Sequence, residues 1–89
     1  MTIEEVNSYA MDNELNIMVL SSPSFDNSII GITTDDRVVY DMDLMIADLM
    51  QSEDMTETEA IDYIEYNTIR ALSYVQNGPI VINLKHYDT

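Results

Sequence analysis

The chain has 89 residues, of which seventeen are Asp or Glu and three are Lys or Arg, for a formal net charge of −14. A domain this small buries only roughly two thirds of its unfolded surface and pays for self-repulsion as well, yet at 46 % hydrophobic, with eleven Ile, seven Met and six Tyr, the chain is too apolar to be a disordered acidic tail. The absence of Cys excludes a disulfide framework or a thiolate site, no apolar run approaches the roughly 18 residues of a membrane span, and the charge repels DNA, RNA and anionic lipid, so a partner should be basic.

In chain order, Thr2-x-x-Glu5 forms a capping box, and Ile3, Val6 and Ala10 at helical spacing predict a short helix over 3–11. Asn16 to Leu20 reads as a buried strand closed by the Ser21-Ser22-Pro23-Ser24 loop signal. Ile29 to Thr33 and Arg37 to Tyr40 are β-prone runs around Thr34-Asp35-Asp36, the pattern of a hairpin. From Asp41 the period changes: Met42, Met45, Ile46 and Leu49 give the stripe of an amphipathic helix over 42–51, with Asp41 as its N-cap. Thr56-x-x-Glu59 is a second capping box, with Met55 and Ala60 at staple positions, and it opens a longer helix whose Ile61, Ile64, Thr68, Ala71 and Leu72 share a face. Asn77-Gly78-Pro79 ends that helix, and Ile80 to Leu84 reads as a last strand. The expected fold is a single acidic α+β domain over 1–89. It has a small, mostly antiparallel sheet of about four strands packed by two helices, with a short helix at the N-terminus.

Charge is unevenly placed along this scheme. Residues 1 to 65 hold sixteen acids against one base, Arg37, a net −15, whereas 66 to 89 hold Asp88 against Arg70 and Lys85. The acids come singly or in pairs between apolar residues, the pattern of a folded surface.

Catalysis lacks its parts. The one His, His86, lies too near the chain end to anchor a triad or a metal site. Two glycines, Gly31 and Gly78, cannot build a phosphate loop. Counted from Asp41, the sixth and twelfth positions of a calcium loop hold Ile46 and Ser52 where Gly and Glu are needed. Asp35-Asp36 reads as turn chemistry, since Asp tolerates left-handed backbone. The expectation is therefore no catalytic residue, no cofactor and no metal. Met42, Met45 and Met50 read as core, Tyr63, Tyr66 and Tyr74 as the rim of the core, and Arg37 and Arg70 as fasteners forked to carboxylates. The opening Thr2-Ile3-Glu4-Glu5 has neither the basic nor the apolar region of a secretory signal, so the cytoplasm is the expected compartment.

The acidic surface is what remains. DNA-binding proteins carry grooves of Lys and Arg matched to one phosphate charge per about 1.7 Å of duplex. Asp35, Asp36, Asp43, Asp48, Glu53, Asp54, Glu57, Asp62 and Glu65 are the candidates to occupy such a groove in place of phosphates. The alternatives are acidity that serves solubility alone, and an interaction or homodimerisation module working through Met and Tyr surfaces.

Asp36-Arg37-Val38-Val39-Tyr40-Asp41, then Met45-Ile46 and Leu49, then Met55-Thr56-x-x-Glu59-Ala60-Ile61-x-Tyr63-Ile64-Glu65-Tyr66-Asn67-Thr68-Ile69-Arg70-Ala71, and finally Pro79-Ile80-Val81 form a pattern covering about half the chain. It resembles a family of small bacteriophage and prophage proteins with no assigned activity. The resemblance implies a phage origin and the host cytoplasm as the place of action. That setting, with the acidic surface and the missing catalytic parts, favours a non-enzymatic inhibitor of a basic host nucleic-acid-binding protein: a restriction, CRISPR, repair or transcription enzyme. The first thirty residues lie outside the pattern.

Overall fold

The computed structural model describes residues 1–83. The first helix, α1 (Ile3–Asp12), starts at the expected box: the Glu5 N–H donates to the Thr2 hydroxyl at 3.1 Å and the Thr2 N–H to the Glu5 carboxylate at 2.9 Å. Val6 alone among its residues is fully buried, so α1 covers only the margin of the core. At its other end the Leu15 N–H reaches the Ala10 carbonyl and the Glu14 N–H the Met11 carbonyl, a Schellman closure with Glu14 at φ 55°. Glycine is the usual occupant of that position.

Residues 16–20 are not a strand. Ile17, Val19 and Leu20 pack against the core, but the segment joins no sheet, and the Leu20 N–H is satisfied by the Tyr40 hydroxyl at 2.9 Å. The central strand of the sheet has both flanks taken, and the segment meets it through a side chain. A 3₁₀ turn (Asp26–Ser28) leads into β1 (Ile29–Ile32), which pairs antiparallel with β2 (Val38–Asp41), and β3 (Ile80–Ile82) pairs with the opposite side of β2. The hairpin is as expected, with Ile29 opposite Tyr40 and Ile32 opposite Val38, but a register shift between Ile29 and Gly31 turns Ile30 outward as a bulge.

Two corrections to the expected sheet follow. Among the described residues it has three strands and not four, and β3 runs parallel to β2, so the sheet is mixed. Parallel neighbours need a long crossover, and here the whole helical region after β2 supplies it. Leu84, the expected end of the last strand, lies outside the described residues.

Asp41 ends β2 and caps α2 (Met42–Ser52), its carboxylate accepting from the Asp43 N–H at 2.8 Å and the Leu44 N–H at 3.3 Å. The second capping box also forms, Glu59 N–H to the Thr56 hydroxyl at 3.2 Å and Thr56 N–H to the Glu59 carboxylate at 3.0 Å, and opens α3 (Glu57–Tyr63). The long helix is not uniform. After α3 the chain widens into a π-helical turn (Ile64–Ile69), in which the Arg70 N–H bonds the Glu65 carbonyl five residues back, before a last α-helical stretch (Arg70–Leu72). Each i→i+5 turn uses one residue more than an α turn. The inward positions accordingly fall at a steady spacing of four, Ala60, Ile64, Thr68 and Leu72, while Ala71, expected on the same face, is exposed.

The core joins all layers: Phe25, Val38, Tyr40, Met45, Leu49 and Ile64 are almost fully buried. Met42 and Met45 are core, as expected, but Met50 is exposed. Arg37 fastens the hairpin to the segment before β3 by a bond from Nε to the Gly78 carbonyl at 2.8 Å; its acceptor is backbone and not the forked carboxylate expected. Gly78 is buried, and a Cβ there would stand 2.7 Å from Val75 Cγ1, so a side chain has no room.

Candidate partner-binding surface

The nine candidate carboxylates fall at separate stations of this fold. Asp35 and Asp36 form the β1–β2 turn, organised by Thr33: its N–H donates to the Arg37 carbonyl, its carbonyl accepts from Asp36, and its hydroxyl donates to the Asp35 carboxylate and accepts from the Arg37 N–H. Asp36 takes the left-handed φ of 65° that closes the turn, as expected of Asp. Its carboxylate is also committed, accepting the Tyr9 hydroxyl of α1 at 2.6 Å. That bond is the main cause of a raised Tyr9 pKa. The Thr33 hydroxyl, with smaller help from the Asp35 N–H and Arg37, holds the Asp35 carboxyl below the usual Asp range. Asp35 is the exposed acid of the pair; Asp36 is half-buried and joins the turn to α1.

Strand β2 separates that turn from the remaining acids. Asp43 is exposed on the first turn of α2, where the N-terminal dipole favours it. Asp48 is half-buried and, five residues on, lies about 140° around the helix, so the two do not share a face. Glu53, Asp54 and Glu57 form an acidic corner between α2 and α3, all exposed. Glu57 sits on the first turn of α3, with the dipole. Glu53 is the C-cap of α2 and Asp54 follows at φ 55°. There the helix dipole disfavours a negative charge and the left-handed backbone disfavours a side chain. Local stability would place Gly and Lys at such a corner.

Asp62 and Glu65, three residues apart, share one face of the long helix and border a surface groove of about 400 Å³ with Tyr66 and Arg70. Tyr66 is 70 % exposed, and the Arg70 guanidinium carbon lies over its ring, 5.1 Å from the centroid. Arg70 thus meets an aromatic face, not the forked carboxylate expected of it. Tyr63 is half-buried and packs on the core, as a rim residue should, but Tyr66 and Tyr74, the latter 83 % exposed, do not cover the core. Exposed Ile69 lies between them in sequence. From the sequence Tyr66 reads as core rim or as part of a Met and Tyr interaction surface, and Arg70 only as a fastener, so their pairing beside the two acids is not expected. Their i, i+4 spacing outside the apolar stripe was the available signal.

A smaller cavity of about 170 Å³ separates the 20–23 loop from the helix face around Tyr63, Thr68 and Leu72, and it carries no charged side chain. Among the described residues no three His, Cys, Asp or Glu side chains are grouped to hold a metal ion, and no helix is long and apolar enough to cross a membrane. No family model, curated protein or solved structure matches the chain.

Proposed function

We propose that this protein is a phage-derived, non-enzymatic inhibitor that docks its acidic surface into the basic nucleic-acid groove of a host protein of the restriction, CRISPR, repair or transcription machinery, acting in the host cytoplasm. The observation that carries the reading is the acidic corner. Glu53 and Asp54 occupy the C-terminal end of α2, where the helix dipole works against both charges and the left-handed backbone works against Asp54 as well. Charge kept where it harms the fold suits a role outside the fold, and a net −14 directs that role toward a basic partner. The resemblance of residues 36 to 81 to small phage proteins supports the same setting.

Steering by opposite charge makes association fast and salt-sensitive. The test is affinity capture from a bacterial lysate, with wild-type protein beside a variant carrying Asp43→Lys, Asp48→Lys, Asp62→Lys and Glu65→Lys. Wild-type protein should retain a basic nucleic-acid-binding protein at low salt and release it at high salt, and the variant should retain none. Capture that ignores salt and charge reversal refutes the reading.

A second reading, an interaction or homodimerisation module, draws on the exposed Tyr66, Ile69 and Tyr74. Light scattering separates the two: a dimer that survives the four reversals belongs to the module.

A further inference from the structure

We infer that the groove between Asp62, Glu65 and Tyr66 is an acceptor for one arginine side chain of the basic partner, and that Arg70 occupies it in the free protein. The inference rests on the proposed inhibitor reading and adds to it a residue-level anchor that charge alone does not supply.

The occupant follows from what the face offers. Tyr66 presents an open aromatic surface, with two carboxylates a helical turn or less away, at the rim of a groove of about 400 Å³. An aromatic face beside carboxylates suits a planar cation that stacks and donates in its own plane, and a guanidinium does both, whereas an ammonium meets the ring only as a compact point charge. The structure holds such a cation already. Arg70 stands over the Tyr66 ring at 5.1 Å and is itself exposed, so it can leave for solvent without uncovering core.

The backbone contributes to the placement. The π turn over Ile64–Ile69 sets Arg70 a full wide turn beyond Glu65, bonded to its carbonyl. Such turns recur at functional sites because they re-aim side chains at little cost to the rest of the helix. Tyr66 and Arg70 lie together on the outer face of this stretch. The neighbouring charge supplies attraction over a longer range, while Tyr66 supplies the stacking surface at contact.

The probes are two fluorescently labelled peptides, hexa-arginine and hexa-lysine, titrated against the protein by anisotropy. Wild-type protein should prefer the arginine peptide, and Tyr66→Ala should weaken arginine-peptide binding roughly two- to five-fold, the range of an exposed cation–π contact, and lysine-peptide binding by less, so that the preference narrows. Tyr66→Phe should keep it. Arg70→Lys, which holds the net charge but weakens the internal stack, should tighten arginine-peptide binding more than lysine-peptide binding. Far-UV circular dichroism checks that each variant folds, and the exposure of Tyr66 leads us to expect that all do.

An arginine preference that is unchanged in Tyr66→Ala overturns the inference. If both peptides still bind wild type and both are lost in the four-Lys variant, the acidic-surface reading survives that failure. If neither peptide binds wild-type protein, both readings fall.

Discussion

Asp54→Gly should make the protein more stable and a poorer binder. Asp54 stands at φ 55° directly after the C-cap of α2, is exposed, and follows another acid, Glu53. A left-handed L-residue costs about 1–2 kcal/mol, with Asp toward the lower end. A negative charge at a helix C-terminus costs about 0.3–1 kcal/mol more. Glycine removes both, but returns about 0.4–1 kcal/mol through the greater freedom of the unfolded chain. The net gain is about 1 kcal/mol, which in a domain of this length raises Tm by roughly 4–8 °C. Asp54→Asn separates the contributions: Asn tolerates the backbone but lacks the charge, so it should show only the dipole part, and that part should shrink as salt rises. Thermal unfolding followed by circular dichroism at low and high salt reads all three proteins. If Asp54→Gly is no more stable than wild type, or the Asn gain ignores salt, then the acidic corner does not strain the fold and the observation carrying the functional proposal fails. A charge retained against local stability is the ordinary form of a stability–function trade-off.

Other residues yield sharper tests of the fold. Asp41, only 4 % exposed, caps α2 through two backbone N–H groups, so Asp41→Ala should cost about 2 kcal/mol while Asp41→Asn, which keeps the acceptor, costs well under half of that in denaturant titration. Gly78→Ala should destabilise by about 1–3 kcal/mol through its 2.7 Å approach to Val75 Cγ1, and Val75→Ala in the same chain should recover most of the loss. The raised Tyr9 pKa makes its stabilising bond to Asp36 fully present below the ordinary tyrosine value near pH 10 and lost as pH rises through the folded value. Tyr9→Phe should therefore lower Tm at neutral pH and flatten its alkaline decline. Burial also raises the Tyr40 pKa, so part of that decline should remain in the variant.

Most local elements were legible because each is specified by neighbours in sequence. Both capping boxes, the Asp41 cap and the hairpin around Asp35-Asp36 form as the residues predict. What was not legible depends on partners distant along the chain. Residues 16–20 have the composition of a strand, but they pack on the core without joining the sheet, and the Leu20 N–H goes to the hydroxyl of Tyr40, twenty residues away. The direction of β3 was hidden for a related reason, since a β-prone run carries no mark of parallel or antiparallel pairing and the crossover alone decides it. The π turn replaces a 3.6-residue stripe with a spacing of four, a difference too small to read from five apolar residues. Tyr66 and Arg70 are neighbours at i, i+4 on any helix, but nothing in the sequence says that Arg70 stacks on the ring and leaves the carboxylates beside it. Among the candidate acids, the sequence could not separate Asp35, exposed on its turn, from Asp36, whose carboxylate is held by α1.

An acidic surface that occupies a site meant for phosphates must compete with duplex DNA for it. Displacement measures this most directly: the partner captured from lysate is bound to labelled duplex DNA, and the protein is titrated in at about 50 mM and about 200 mM salt. The protein should displace the duplex, the four-Lys variant should displace none, and the inhibitor's own affinity, corrected at each salt for the weaker hold of the partner on the duplex, should fall at the higher salt. Partner, duplex and wild-type protein bound together in one complex would contradict this.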